Sequence, residues 1–228
     1  MEGLKDILLV PRSEHQMGWA GFFEEQQHEI RKLIGDYNHP VEWFGSTSIP
    51  SVEFAKPVLD IAVAQEPGSK RLARFLGKRL YETGERRLQN SIIGFTDKNK
   101  SQFYCYDRNP DDVGRLLTHQ VATMPQYEDC WTKYFHFKQL LTEYPQIGQM
   151  YSETKLGIAK RFPANIVAYT NAKSPFVSAA VSLGFEKYGR SKASDETVEA
   201  ARASANPEFY AQMKKIVDEK DAEVSEGI

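Results

Sequence analysis

Cysteine is scarce in this 228-residue chain. The two that occur, Cys105 and Cys130, stand in no metal-ligand spacing and are too few for a disulfide framework. They read as free thiols in reducing surroundings. Long apolar runs are also missing: no stretch reaches the ~20 residues that cross a bilayer. Met1 to Pro11 carries acidic residues around one short apolar run, Ile7 to Val10, which is unlike a secretory leader. A cytosolic protein without a membrane role is expected. Excess charge of one sign is absent too, since 29 basic residues meet 31 acidic ones for a formal net charge of −2. Any nucleic acid must therefore be held by a local basic patch, because global charge supplies no steering. The chain shows no internal repeats.

What remains has the balance of an ordinary globular protein, with 41% apolar and 26% charged residues, long enough to bury a sizeable core. Trp19 to Ile34 reads as a helix, with Phe22, Phe23, Ile30, Leu33 and Ile34 mainly on one face and Gly35 closing it. Val41 to Phe44 reads as a strand. Val58 to Val63 is a nearly continuous apolar run, the pattern of a central strand covered on both faces. Ser69 to Leu80 reads as a basic amphipathic helix. Ser91 to Phe95, Gln102 to Tyr106 and Arg115 to Ala122 read as further strands, with Asp97–Asn99 a turn and Asn109–Asp112 a loop. From Tyr127 the period turns helical: Glu128–Thr142, Gln146–Phe162, a third helix from Pro163, and a fourth over Phe176–Tyr188 with Ser174 as N-cap and Pro175 in its first turn. The fold class is therefore α+β, a mixed β-sheet followed by a helical C-terminal half. Residues 1–190 read as one domain. Residues 191–228 read as a charged appendage, helical over Asp195–Ser204 and Pro207–Lys220 or partly disordered.

The chemistry concentrates in Phe44-Gly-Ser-Thr-Ser-Ile-Pro50 and Ala55-Lys-Pro-Val-Leu-Asp-Ile-Ala-Val63. A strand ends at Gly45, where a missing Cβ permits close approach. The hydroxyls and amides of Ser46, Thr47 and Ser48 follow, the makings of a phosphate cradle. Asp60 lies inside an apolar strand, where a lone carboxylate is costly without a cation or donor. Lys56, between Ala55 and Pro57, is the candidate for a direct phosphate or carboxylate contact, and with strand parity it shares a face with Asp60. Ser46, Lys56, Asp60 and His119 are expected to converge on one cavity. Taken singly, each feature has a plainer reading. Most Gly-Ser-Thr-Ser loops bind nothing, and a strand Asp is often a structural partner. Lys70, Arg71, Arg74 and Lys78, with Lys155, Lys160 and Arg161, form either solvated helix faces or a track for a nucleic-acid backbone. Tyr104, Tyr106, Tyr127 and Tyr134 read as partly core and partly pocket rim. His136 falls on a helix, and His119 on a strand that neighbours Asp60 if the sheet forms as expected.

The joint spacing of the Gly-Ser turn and the strand-borne Asp60 resembles the nucleotidyltransferase fold. The wording Gly-Ser-Thr-Ser-Ile-Pro … Ala-Lys-Pro-Val-Leu-Asp-Ile more closely resembles the GrpB family. Arg115-Leu-Leu-Thr-His119-Gln-Val looks like that family's histidine-bearing strand. Phe137-Lys138, Tyr151…Lys155 and Tyr169-Thr-Asn-Ala-Lys173 look like its helical half. The resemblance runs in order over roughly residues 15 to 190 and implies a nucleotidyltransferase-like fold. Two departures stand out. Nucleotidyltransferases place a second metal-binding carboxylate two residues after the first, and here that position is Ala62. Trp43 stands where relatives tend to carry a histidine. One Asp and one His make a poor set for two-metal chemistry, so neither metal nor other cofactor is expected.

The expected function is accordingly a transferase that uses this pocket without the full carboxylate set. Fungal arginine-containing cyclodipeptide synthases look like this family, and the wording of the chain suits a fungal member. That resemblance implies aminoacyl transfer from aminoacyl-tRNA, with Asp60 and Glu53 recognising a cationic amino acid, His119 or a tyrosine shuttling a proton and a basic helix meeting the tRNA. The partner would be that RNA or a nucleotide-bearing small molecule, with no obligate protein partner. The alternatives are a metal-dependent nucleotidyltransferase that recruits Glu42, Glu53 or Glu85, and a non-catalytic nucleotide binder.

Overall fold

In the computed structural model the described residues are 7–14, 18–35, 39–65, 102–107, 118–125 and 128–226. The expected helix Ser69–Leu80 with Lys70, Arg71, Arg74 and Lys78, the strand Ser91–Phe95, the turn Asp97–Asn99, the loop Asn109–Asp112, Glu85 and Tyr127 lie outside them.

The organising element is β4, Val58–Gln65, whose Val-Leu-Asp-Ile-Ala-Val core suits an interior strand. It pairs antiparallel with β2, Val41–Phe44, and parallel with β6, Thr118–Pro125. β5, Gln102–Asp107, pairs antiparallel with β6, giving a mixed sheet of order β2-β4-β6-β5 with β4 inside. The strand expected at Arg115–Ala122 runs instead over Thr118–Pro125 and ends at a proline, which has no N–H to continue the ladder.

Alternation along β4 divides two environments. Leu59, Ile61 and Val63 join Val41 and meet Phe22 and Ile30 of α1, Trp19–Ile34. Gly35 closes that helix in the left-handed region at φ 64°, its N–H donating to Arg31 O. The other face carries Asp60, Ala62 and Ala64. There Phe44, Ala62 and Ala64 pack on Cys130 and Trp131 of α2, Asp129–Glu143. The two alanines leave room for α2, and Phe44 meets Trp131 edge-on at 5.4 Å. Burying a side chain such as Leu59, which is fully covered, contributes about 1.5–3 kcal/mol.

The helical half continues with α3, Pro145–Arg161, and α4, Ile166–Tyr188. The third and fourth expected helices are one. Pro175 sits inside α4, and the Ser174 hydroxyl donates back to Thr170 O at 3.0 Å rather than capping a helix start. Packing overrides the local break: Phe176 and most residues from Ala179 to Phe185 are buried. The appendage reading is likewise corrected for the described residues. α5, Asp195–Ser204, and α6, Pro207–Glu226, bring Val198, Ala201, Met213 and Val217 into the same core as Phe137, Leu140, Ile147 and Phe176. Their apolar residues are few, but each lands on this core. Asn206 N–H donates to the Pro175 carbonyl, and Tyr144 OH donates to Asp221 at 2.7 Å.

A two-stranded ladder of β1, Val10–Pro11, and β3, Phe54–Ala55, closes the site end. The neighbouring loop rests directly on α3. A Cβ at Gly148 would lie 2.0 Å from Ser51 Oγ and 3.2 Å from the Ser51 backbone carbon. Gly148→Ala is therefore expected to lower stability by about 2–3 kcal/mol through overpacking, read as a drop in the denaturant midpoint. An unchanged midpoint would show that this contact yields freely.

Candidate functional site

The turn after β2 is built by its hydroxyls. Ser46–Ser48 forms one 3-10 turn. Thr47 is buried; its hydroxyl accepts from Trp43 Nε1–H and donates to Val58 O, both at 3.1 Å. Ser48 Oγ donates to Gly45 O at 2.8 Å. These two hydroxyls are engaged in holding the turn. Ser46 is half-buried, and among the described residues its hydroxyl has no hydrogen bond. The Arg12 guanidinium donates to Thr47 O at 3.1 Å and Ile49 O at 2.6 Å, tying the turn to the strand ladder. Sequence reasoning missed Arg12, which has no motif around it.

Gly45 is the residue that touches Asp60. A Cβ there would lie 1.9 Å from Asp60 Oδ2, and the φ of 72° with ψ of −177° is a conformation essentially reserved for glycine. The close approach expected at Gly45 is to a ligand; in the structure this carboxylate lies against it. Asp60 is half-buried rather than sealed in the core. Burial raises its carboxyl to about 6, against the pull of Lys56 and Lys173. The tyrosines Tyr134 and Tyr151 sense its charge: burial first, then Asp60 among other groups, pushes both phenols up.

Lys56 does face Asp60 electrostatically, but strand parity is not the reason. β4 begins at Val58, and Lys56 stands in the connection from β3, where Val58 N–H donates to Lys56 O at 2.7 Å. The other cations come from the helical half. Lys155, which is 2% exposed, donates to Phe54 O and lies 4.6 Å above the Tyr151 ring. Burial holds its pKa well below the usual lysine value, with Lys173, Lys56 and Arg12 adding to the effect. Lys173, half-buried on α4, lies 5.7 Å from the Tyr169 ring. Burial, then Lys56, bring it down to about 8, with Asp60 opposing. Lys155 is thus buried rather than on a solvated helix face. Lys160 and Arg161 are exposed near the end of α3.

His119 stands apart in register. It pairs with Leu59 in the parallel ladder, while Gln120 pairs with Asp60. Glu53 is exposed, and its carboxylate acts on the Arg12 guanidinium. His136 is buried, its Nε2 2.7 Å from Gly189 O, an arrangement that anchors the end of α4. Tyr134, stacked on Phe44 at 5.8 Å, is the rim tyrosine that the structure brings to Asp60.

Among the described residues, no second carboxylate or imidazole is shown acting on Asp60. Asp60 is faced by Lys56 and Lys173, and the next position on its side of the strand is Ala62. No group of three or more His, Cys, Asp or Glu residues suited to a metal occurs among the described residues. Within those residues Lys56 and Lys173 act on one carboxylate, and Lys155 and Lys173 are each held less readily protonated, by burial first and then by neighbouring cations. Such a cluster is relieved by an anion, with phosphate and carboxylate the common choices.

Comparisons with known proteins agree with this architecture. The sequence model of the family described as GrpB protein matches residues 10–182. The glutamate-rich protein GrpB of Alkalihalophilus pseudofirmus is 28% identical over 173 residues, covering 75% of this chain and 92% of that protein. A UPF0157 protein of Pseudomonas aeruginosa is 28% identical over 162 residues, covering 70% of this chain and 61% of that protein. The crystal structure of a conserved protein GrpB from Enterococcus faecalis superposes with a TM-score of 0.61 at 22% identity, over 79% of this chain and 99% of that one. These names state no reaction. No described helix is long and apolar enough to cross a membrane.

Proposed function

This chain belongs to the GrpB family, and on that premise we propose that its cleft holds the phosphate-bearing end of a donor molecule and transfers a group from it without a metal ion. The observation that carries this reading is that two lysines, Lys56 and Lys173, act on the single carboxylate Asp60, with the buried Lys155 interacting with both lysines. Lys56 and Lys173 face the phosphate. Lys155, fixed to the Phe54 carbonyl, supplies field rather than a movable contact. Asp60, with a carboxyl at about 6, is largely ionised at neutral pH and accepts the proton released by the attacking group. The concrete form is aminoacyl transfer from aminoacyl-tRNA to give an arginine-containing cyclodipeptide. There the ester is already activated, so no triphosphate has to be opened. The amine of one aminoacyl-tRNA attacks the ester carbonyl of a second, and the second ribose hydroxyl leaves. The free amine of the resulting dipeptidyl ester then attacks its own ester carbonyl, closing the ring and releasing the first ribose hydroxyl. Asp60 relays the proton from amine to leaving hydroxyl in each step.

Calorimetric titration with ATP tests the anion site. ATP is expected to bind in EDTA, and Lys56→Ala to weaken it by about tenfold, the loss of one charge-assisted contact. If binding appears only with magnesium, a metal-dependent nucleotidyltransferase becomes the better reading. Mass spectrometry of products from charged tRNA tests the aminoacyl form. Absence of any cyclodipeptide rejects that form and leaves the anion site standing.

A further inference from the structure

Helix α2 carries a second working face. Trp131, Phe135 and Gln139 follow at four-residue intervals with His136 beside them, so they form one stripe along the helix. Across from the stripe stands Tyr188, the last residue of α4. Together these five residues line a cavity of about 350 Å³, open to solvent on one side and of a size that takes small molecules.

The fold leaves part of this lining unused. Phe135 is 46% exposed, and its ring meets no other ring among the described residues. The Gln139 amide has no hydrogen bond among them. Tyr188, by contrast, is fixed: its hydroxyl donates to Glu143 at 2.7 Å, and its ring lies 5.6 Å from His136. His136, 5% exposed, is edge-on to Phe185 at 5.2 Å. Its Nε2–H donates to Gly189 O, which leaves Nδ1 as a lone pair, buried and without a partner among the described residues. Burial lowers the pKa of this ring, against the bond to Gly189, so the imidazole is neutral at pH 7.

We infer that this cavity is a binding site for an adenine base, separate from the Asp60 group. The base stacks on Phe135, a contact that needs a flat ring and no charge. Gln139 lies one helical turn further on. Its carbonyl accepts from the exocyclic amine and its N–H donates to the neighbouring ring nitrogen, the paired contact that a carboxamide makes with adenine. The lone pair on His136 Nδ1 makes its wall electron-rich, which favours an amine there over a carbonyl oxygen and so sets adenine against hypoxanthine. Tyr188 and the buried Trp131 complete the apolar enclosure.

The test titrates the full-length protein with adenosine, which carries no phosphate, by calorimetry and equilibrium dialysis. Saturable binding is expected. Inosine, with a carbonyl in place of the amine, should bind about tenfold more weakly. Gln139→Ala should weaken adenosine about tenfold and erase its advantage over inosine. Phe135→Ala should weaken both nucleosides about tenfold through lost stacking, and Phe135→Leu, which keeps apolar bulk without the ring, should do the same. Neither side chain is sealed in the core, so circular dichroism should not change. The inference falls if adenosine does not bind up to about 1 mM, if inosine binds as tightly, or if the substitutions leave adenosine binding as it was.

Discussion

Asp60→Asn is expected to stop group transfer and to stabilise the protein at pH 7. The two effects have one origin. The carboxyl ionises at about 6 in the fold against 3.8 in a solvated chain, with burial the cause. Between those values the folded chain holds more protons than the unfolded one, so stability falls as pH rises from about 4 to about 6. Above that the full cost remains, on the order of 2–3 kcal/mol. Asparagine keeps the shape and never ionises, so the cost disappears. The melting temperature at pH 7 should rise by roughly 5 °C for a chain of this size. At pH 4 the gain should vanish. ATP binding should hold or tighten, because a like charge has left the pocket. Turnover should fall by ~100-fold or more with the loss of the proton acceptor. A melting temperature that drops at pH 7 would make the carboxylate a structural partner and remove it from the site.

Gly45→Ala carries the largest expected loss of stability. The new methyl group would meet the Asp60 carboxylate and its Cβ, at 1.9 and 3.0 Å. The backbone there also stands in a region that costs a non-glycine residue about 1–3 kcal/mol. Together with displacement of Asp60, about 3 kcal/mol or more should be lost, and ATP binding should weaken because the turn that faces the phosphate moves. Chemical denaturation and calorimetry on the same sample read both effects. Retained stability would show that the turn has a second conformation that alanine accepts.

Much of this architecture was legible before any coordinates. The run from Val58 to Val63 carried its own answer, because an unbroken apolar strand needs cover on both faces, and α1 and α2 supply it. Trp19–Ile34 was legible to the residue, since its apolar face ends where Gly35 turns left-handed. The carboxylate, the glycine against it and Lys56 were also legible, although Lys56 faces Asp60 through a connection rather than along a strand. Three things were not. Pro175 looked like a helix start, but the burial that outweighs a missing N–H is a tertiary property. The tail looked like an appendage because its apolar residues are sparse, yet Met213 and Val217 each fill the core. Lys173 and Arg12 join the cleft from opposite ends of the chain, and neither lies near the motif. His119 shows the limit of motif reading: a strand neighbour of Asp60 was foreseen, but a one-residue difference in register places it opposite Leu59.

The crowding of lysines has a use in the search for the natural ligand. A cluster of mutually repelling ammonium groups leaves the empty protein short of the stability its packing would give. Whatever neutralises the cluster binds the folded state alone, and therefore lifts the melting point by mass action. An occupant at a hundred times its dissociation constant adds about 2.7 kcal/mol. Heating the protein in the presence of one cellular anion after another thus ranks its partners by affinity, with no substrate assumed and no reaction observed.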